Sequence, residues 1–369
     1  GFALRVYKLD FTAVDSDENT SWDATKGILR TGAPIPTSNI WYTRGPFYHY
    51  LLALWLRLIG DSAVNARLLS VIWGTAILVL FFIFTRKVTG KTWLALIATA
   101  ILAIDPSDIW YSRFIRFYQV LQFTSLLAFW SFFKGFVDRE GKVYQYIFFV
   151  AVTATLLTQE VSLTLLPCFV IGFIWFYRPF RLSEDWHLIA CSLLTGTIYA
   201  FNILFFTIKC LTPLVALSNS TDSYLKFQLF NITGFMSLVF VGPGRMYTIY
   251  SFFFGLGFIY CLKRRDSKLI YLFSVVLLNV ILPTCLVYQT ASRYTYATHP
   301  LFILLSVYSA VCVTESLGRK IESILQGALP LKKIALICIS LLLISNLEIG
   351  RIFAGYQDAI ARHNPQVFE

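Results

Sequence analysis

Ala66-Arg67-Leu68-Leu69-Ser70-Val71-Ile72-Trp73-Gly74-Thr75-Ala76-Ile77-Leu78-Val79-Leu80-Phe81-Phe82-Ile83-Phe84-Thr85 carries a single charged side chain, at its start. Twenty helical residues rise ~30 Å, the thickness of a bilayer's hydrocarbon core. A run this long and this apolar is expected to span a membrane. The whole chain agrees: 369 residues, 57% hydrophobic and 14% charged, with mean hydropathy +0.66. Soluble domains carry about 25% charged residues. The 34 Phe, 20 Tyr and 9 Trp suit a helical bundle with aromatic belts at both interfaces.

Working outward, further candidate spans follow at 92–105, 118–134, 143–158, 161–177, 187–208, 246–262, 269–288, 299–317 and 333–350. The fold class expected is an all-α polytopic membrane protein of about ten or eleven transmembrane helices. An upstream span ending near residues 1–7 would supply the eleventh. Three domains are expected: residues 1–65 as a first outer loop with an acidic motif and interfacial helices, 66–350 as the transmembrane bundle, and 351–369 as an outer tail. If 1–65 lies outside, the inner loops 86–91, 134–142, 178–186, 263–268 and 318–333 hold 16 of the 31 Lys and Arg, as the positive-inside rule requires. Residues 105–117, 209–245 and 289–298 are then outside, in a multi-pass protein of the plasma membrane. Residues 46–59 begin with Pro and stop at Gly60. They make a helix of ~21 Å, too short to cross, and are placed in the interface.

The net charge of +11 does not argue for nucleic acid, because the basic residues fall in short loops between apolar runs. The seven cysteines lie singly in apolar stretches without a C-x-x-C, so no disulfide framework or thiolate metal site is suggested. Four scattered histidines form no metal motif, and His49 and His299 read as interface residues. No cofactor is implied, and a divalent metal is left open. Asn19, Asn219 and Asn231 fit N-x-[ST], which matters only in a secretory host.

Chemistry concentrates near the start, where Asp15-Ser16-Asp17-Glu18 packs three carboxylates into four residues. Other ionisable groups expected at the same membrane surface are Arg44, the 105–118 segment with Asp105, Asp108, Arg113, Arg116 and Tyr118, and Arg293-Tyr294. Ionisable groups at a membrane edge mark function, although arginines at span ends also snorkel to headgroups and acids also cap helices. Arg113 and Arg116, three apart, would share a helix face. With Arg44 and Arg293 they would suit a phosphate. Glu160 reads either as a hairpin cap or as a site residue.

In order, Asp17-Glu18, Gly27-Ile28-Leu29-Arg30-Thr31-Gly32, Arg44-Gly45-Pro46-Phe47-Tyr48-His49-Tyr50-Leu51, Gly60 and Ala66-Arg67-Leu68-Leu69-Ser70 resemble the start of the GT-C membrane glycosyltransferases that use polyprenyl-phosphate sugars. That superfamily includes protein O-mannosyltransferases and lipid A aminoarabinose transferases. Ser112-Arg113 to Tyr118, and Arg293-Tyr294 with Pro300, are similar to later landmarks, so the resemblance runs to about residue 317. It implies eleven to thirteen helices and a first outer loop whose acid, here Asp17, activates the acceptor or contacts substrate. It also implies a basic residue ahead of a Pro pair that binds the lipid phosphate. Here that residue is Arg44, where Lys is common, and the pair is reduced to Gly45-Pro46. Relatives often carry an acid after the second-loop Arg, where this chain has Tyr118-Gln119. Either Asp105 or Asp108 substitutes, or the role is absent. Relatives also often have Lys near Glu160, so the donor sugar is not fixed by the resemblance.

The function expected is transfer of a sugar from a polyprenyl-phosphate donor to a lipid, glycan or protein acceptor on the outer side, amid membrane lipids. A lipid-phosphate leaving group needs no general acid, whereas the acceptor hydroxyl needs a base. Asp17 is that base, with Glu18 orienting it. Arg44, Arg116 and Arg293 stabilise the leaving phosphate, and direct displacement inverts the anomeric centre. Asp108, Arg113, Tyr118, Tyr294 and Glu160 are further candidate substrate contacts. The alternative is a transporter or flippase for a lipid-linked glycan, which would favour ionisable groups near the bilayer midplane and inverted repeats.

Overall fold

A computed structural model describes residues 1–10, 13–39, 41–42, 44–177, 179–204, 232–241, 247–285 and 291–324. The expected span 333–350, the tail 351–369 and the loop sequons at Asn219 and Asn231 lie outside these residues. The described residues form helices and turns, with no strand among them.

Two short helices precede the bundle's long ones. Helix α1 (Phe2–Val6) leads to α2 (Ser16–Thr31), which begins on the acidic stretch itself. Asp15 is its N-cap and accepts from the Asp17 amide at 2.8 Å, while Glu18 reaches back to the Asp15 amide at 3.0 Å. This capping box satisfies two otherwise orphaned donors. The expected acidic loop is therefore the first turn of a helix. Helix α3 (Pro46–Ile59) has Pro at its first turn and Gly60 as its C-cap.

Helices α4 (Ala63–Thr89), α5 (Thr92–Ile104), α6 (Pro106–Tyr111) and α7 (Tyr118–Phe132) follow, the last prolonged by a π turn at Phe133–Val137. Next come α8 (Lys142–Thr158), a 3-10 turn at Glu160–Thr164, α9 (Leu165–Phe176) and α10 (Leu182–Asn202). Helix α11 (Ile232–Val241), α12 (Thr248–Arg264), α13 (Ser267–Ile281) and α14 (His299–Ile324) complete the described part. Among the described residues, three helical stretches are long and apolar enough to cross a membrane: Ala63–Thr89, Tyr118–Val137 and Tyr296–Ser316. Several of the other expected spans, including α5, α8, α9 and α13, form shorter apolar helices.

The turns sort into two ends. Arg67 near the start of α4 meets Glu18, and Lys87 near its finish meets Asp138 after α7. Lys268 at the start of α13 joins Asp138 at 2.6 Å. At the other end of α13, Asn279 donates to Thr298 at 2.9 Å, just before α14. Residues 105–117 and 291–298 thus lie with α2 at one end, and 86–91, 134–142 and 263–268 at the other. Between them the core is largely aromatic. Phe129, Phe132, Phe133 and Phe136 are all buried, and Phe132 lies within 5.4–5.8 Å, ring to ring, of Phe136, Phe148, Phe169 and Tyr271. Offset and edge contacts of this kind add about 0.5–1.5 kcal/mol per pair beyond area burial.

Candidate active site

Asp17 and Glu18 are neighbours on α2 with opposite environments. Glu18 is 1% exposed and all its acceptor positions are used. Arg67 Nε and Nη2 donate to it at 2.9 and 2.7 Å, and the amides of Asp15 and Ile115 at 3.0 and 2.9 Å. The Ile115 bond fixes the α6–α7 connection against α2. This places the next residue, Arg116, opposite Asp17.

Asp17 is 41% exposed and bridges two arginines. Arg116 Nη2 sits 2.9 Å from one carboxylate oxygen, and Arg293 Nη1 3.2 Å from the other. Arg116 also donates to Ser21 Oγ and to the Tyr42 hydroxyl, both at 2.8 Å. Asp17 and Ser21 are four apart on α2, so one face of the helix presents both to one guanidinium. Burial works against the charge of Arg116, but Tyr42, Tyr118 and Asp17 outweigh it and raise its pKa. Burial opposes Arg293 in the same way, and Tyr118, Tyr294 and Asp17 again prevail.

Arg293 rides on a 3-10 turn, Ser292–Tyr294, with a second at Tyr296–Thr298. That segment is tied to α7 by Ser125 Oγ to the Ala297 carbonyl at 3.1 Å and Gln119 Nε2 to the Tyr296 hydroxyl at 2.9 Å. Its link to α13 is Asn279. Tyr294 lies beneath the Arg293 guanidinium, 5.3 Å from ring centre to Cζ. Tyr118 is buried, stacked edgewise on Tyr111 at 4.7 Å, and within electrostatic reach of Asp17, Arg116 and Arg293.

Arg44 does not join the pair on Asp17. Its side chain is exposed, has no ion-pair partner among the described residues, and influences Glu160 across the start of α9. Its neighbour Gly45 explains the missing proline. At φ +61° and with an added Cβ 2.9 Å from the Thr158 carbonyl oxygen, no proline, whose φ is locked near −65°, fits there. The Gly45 carbonyl accepts from His49 Nδ1 at 2.7 Å, and His49 packs edgewise on Tyr42 at 5.1 Å. Contacts thus run from Arg44 to Arg116 without the two heads meeting.

Several expectations are corrected. His49 is fully buried and not an interface residue, and burial pulls its pKa down to about 4. Arg113 and Arg116 do not share a helix face, because residues 112–117 form turns. Arg113 points the other way and donates to the carbonyls of Tyr7 and Lys8 at 2.6 and 2.8 Å, holding the end of α1. Asp108 is fully buried, ion-paired with Arg5, and accepts from the Tyr296 hydroxyl at 2.6 Å. Asp105 is likewise buried, accepting from the Tyr247 hydroxyl at 3.0 Å and facing His299 Nε2 at 3.3 Å. Asp105 and Asp108 form a polar layer beneath the site and are not open to a substrate. Glu160 opens the 3-10 turn and is exposed. Ser21, Tyr42 and Arg67 were missed as site residues. Arg67 alone left a signal, as the one charge in the quoted apolar run. No group of three or more His, Cys, Asp or Glu suited to a metal occurs among the described residues.

Comparison with known proteins bears on this geometry. The sequence signature of the dolichyl-phosphate-mannose-protein mannosyltransferase family matches residues 43–205. An uncharacterized protein of Aquifex aeolicus is 22% identical over 205 residues, 54% of this chain and 39% of that relative. The match thus spans about two fifths of that relative's length. The crystal structure of ArnT from Cupriavidus metallidurans in the apo state superposes with a TM-score of 0.67 at 12% identity, over 97% of this chain and 74% of that one. The same protein bound to undecaprenyl phosphate gives 0.65 at 13%, over 97% and 72%. At such identities the likeness is one of fold. The fold of this chain is that of the GT-C membrane glycosyltransferases, and residues 43–205 carry the mannosyltransferase signature of that superfamily.

Proposed function

We propose that this protein transfers a sugar from a polyprenyl-phosphate donor to an acceptor hydroxyl, at the membrane face formed by α2 and the segments 105–117 and 291–298. The observation that carries the reading is the half-exposed Asp17 carboxylate held between Arg116 and Arg293. The fold and the family signature support it, as does the undecaprenyl phosphate bound by ArnT. By the distribution of Lys and Arg, that face is the outer one of the plasma membrane, residues 1–65 form its catalytic loop and the spans behind it form the bundle.

The acceptor oxygen bonds to the anomeric carbon as the bond from that carbon to the phosphate oxygen breaks. The hydroxyl proton passes to Asp17, and the polyprenyl phosphate leaves with its added negative charge. Attack opposite the leaving group inverts the anomeric centre. Arg116 and Arg293 stabilise the leaving phosphate, and Arg44 stands at the rim beside Glu160 to receive it. Tyr118 and Tyr294 flank the arginines as substrate contacts. Exposed ion pairs are each worth about 0–1 kcal/mol. A phosphate can therefore draw the arginines from Asp17 and leave the carboxylate free to act as base. Glu18 serves as a positioning residue, since its oxygens are already taken.

The test is turnover of a polyprenyl-phosphate sugar carrying a radiolabel on the sugar, in vesicles with the purified protein. Release of polyprenyl phosphate with label appearing on an acceptor is the expected result. Movement of intact labelled lipid across the bilayer without bond cleavage would overturn the proposal and make the protein a flippase.

A further inference from the structure

A second polar cavity lies about 30 Å from the Asp17 site, at the far end of the Tyr118–Val137 helix. It encloses ≈ 460 Å³ between the end of α7 and the starts of α8 and α10, and its lining includes Gly135, Arg139, Lys142, Gln145, Tyr177 and Trp186. Its construction is unusual in three ways. Helix α7 ends there in a π turn, a feature that concentrates at functional sites. Arg139 adopts a left-handed backbone, φ +54°, which costs a non-glycine residue roughly 1–2 kcal/mol. Gly135 lets α8 come close, since an added Cβ would lie 3.0 Å from the Gln145 amide nitrogen.

The surrounding charges hold this turn in place. Asp138 and Glu140 face away from the cavity, to Lys87, Lys134 and Lys268. Arg139 and Lys142 remain on the cavity side. Arg139 lies over the Tyr177 ring at 5.1 Å, and Lys142 reaches only the Glu184 carbonyl, at 3.5 Å. The cavity's two acids are engaged: Glu184 pairs with Arg181 at 3.2 Å, and Asp185 accepts from the Tyr177 hydroxyl and the Arg181 amide, both at 2.8 Å. Gln145 on the floor is also satisfied, accepting from His187 Nε2 at 2.7 Å and donating to the Gly135 carbonyl at 3.1 Å. Helix α8 starts at Gly141 with no side-chain cap, so its positive end faces the same space. Beside the cavity, Trp186 and Leu182 are both 64% exposed and Phe180 42%, as suits residues at the level of lipid headgroups.

We propose that this cavity binds the phosphate of an anionic phospholipid headgroup, with Arg139 and Lys142 as the cations that hold it. The exposed aromatic and aliphatic rim selects a lipid over a soluble phosphate ester, and two cations with a helix N-terminus select an anionic headgroup over a zwitterionic one. The proposal makes no use of the Asp17 site and stands apart from the reaction there.

Native mass spectrometry of the full chain tests it, after extraction from phosphatidylcholine vesicles containing a quarter phosphatidylglycerol. The wild type should retain phosphatidylglycerol in preference to phosphatidylcholine. The double variant Arg139→Gly, Lys142→Ser should retain roughly tenfold less. Glycine relieves the left-handed strain at 139, so unfolding is not the cause of the loss. The variant Arg139→Lys, Lys142→Arg keeps both charges and should retain most of the lipid. Equal retention of the two lipids by the wild type, or undiminished phosphatidylglycerol on the Gly/Ser variant, would overturn the proposal. Displacement of the lipid by millimolar inorganic phosphate would overturn its lipid source in favour of a soluble phosphate ester.

Discussion

The adjacent carboxylates of α2 should fail in opposite ways when each is neutralised at constant shape. Glu18→Gln removes the charge facing Arg67 at 2.7 Å where both side chains are almost fully buried. Losing one partner of a buried pair strands the other and costs about 3–5 kcal/mol. The new amide NH₂ also confronts donors, since Asp15 and Ile115 both offer it N–H groups. Asp17→Asn removes a charge that is 41% exposed, and its two ion pairs are each worth about 0–1 kcal/mol. The two variants should therefore differ by about 3 kcal/mol in stability, a factor of roughly 100 in the ratio of folded to unfolded protein. Activity should run the other way. Asp17→Asn should lower turnover about 10²–10⁴-fold, the usual loss of general-base assistance, while donor lipid still binds. The assay is unfolding in mixed micelles followed by tryptophan fluorescence, alongside turnover per folded molecule. Equal destabilisation by the two substitutions would refute the division into a structural and a chemical carboxylate. Near-wild-type turnover by the Asn variant would move the base elsewhere.

Arg116→Ala and Arg293→Ala should each weaken binding of a short-chain polyprenyl phosphate, measured by calorimetry. Lysine should rescue only in part because it lacks the guanidinium fork, and full rescue would argue against bidentate contact. His49, held near 4 by burial, should make stability rise with pH between about 4 and 6.5, because the unfolded chain binds its proton more tightly there. The shift corresponds to about 3 kcal/mol, and His49→Phe should flatten that limb in pH-dependent unfolding. For topology, an impermeant thiol reagent applied from outside should label Trp110→Cys and not Lys263→Cys in a cysteine-free background. The reverse pattern would invert the orientation.

Sequence alone determined the class of the fold and most helix limits. Apolar runs such as 66–85 have no stable place but a membrane or a protein core, and Pro46 and Gly60 bound α3 through backbone geometry that local residues dictate. It also singled out Asp17, Arg116 and Arg293, because charge is conspicuous in so apolar a chain. The roles within that set were decided only by tertiary structure. Nothing local distinguishes Glu18 from Asp17; the difference is Arg67, 49 residues on, which buries one and leaves the other open. Nothing local separates Arg113 from Arg116 either. The turn at 112–117 sends one to the carbonyls after α1 and the other to Asp17. Asp108 reads as a surface acid until Arg5 and Tyr296, 103 and 188 residues away, are seen to enclose it. Charge marks a residue as costly to bury, and that cost is local. The partner that offsets it comes from wherever the chain folds back, which the three-dimensional packing alone decides.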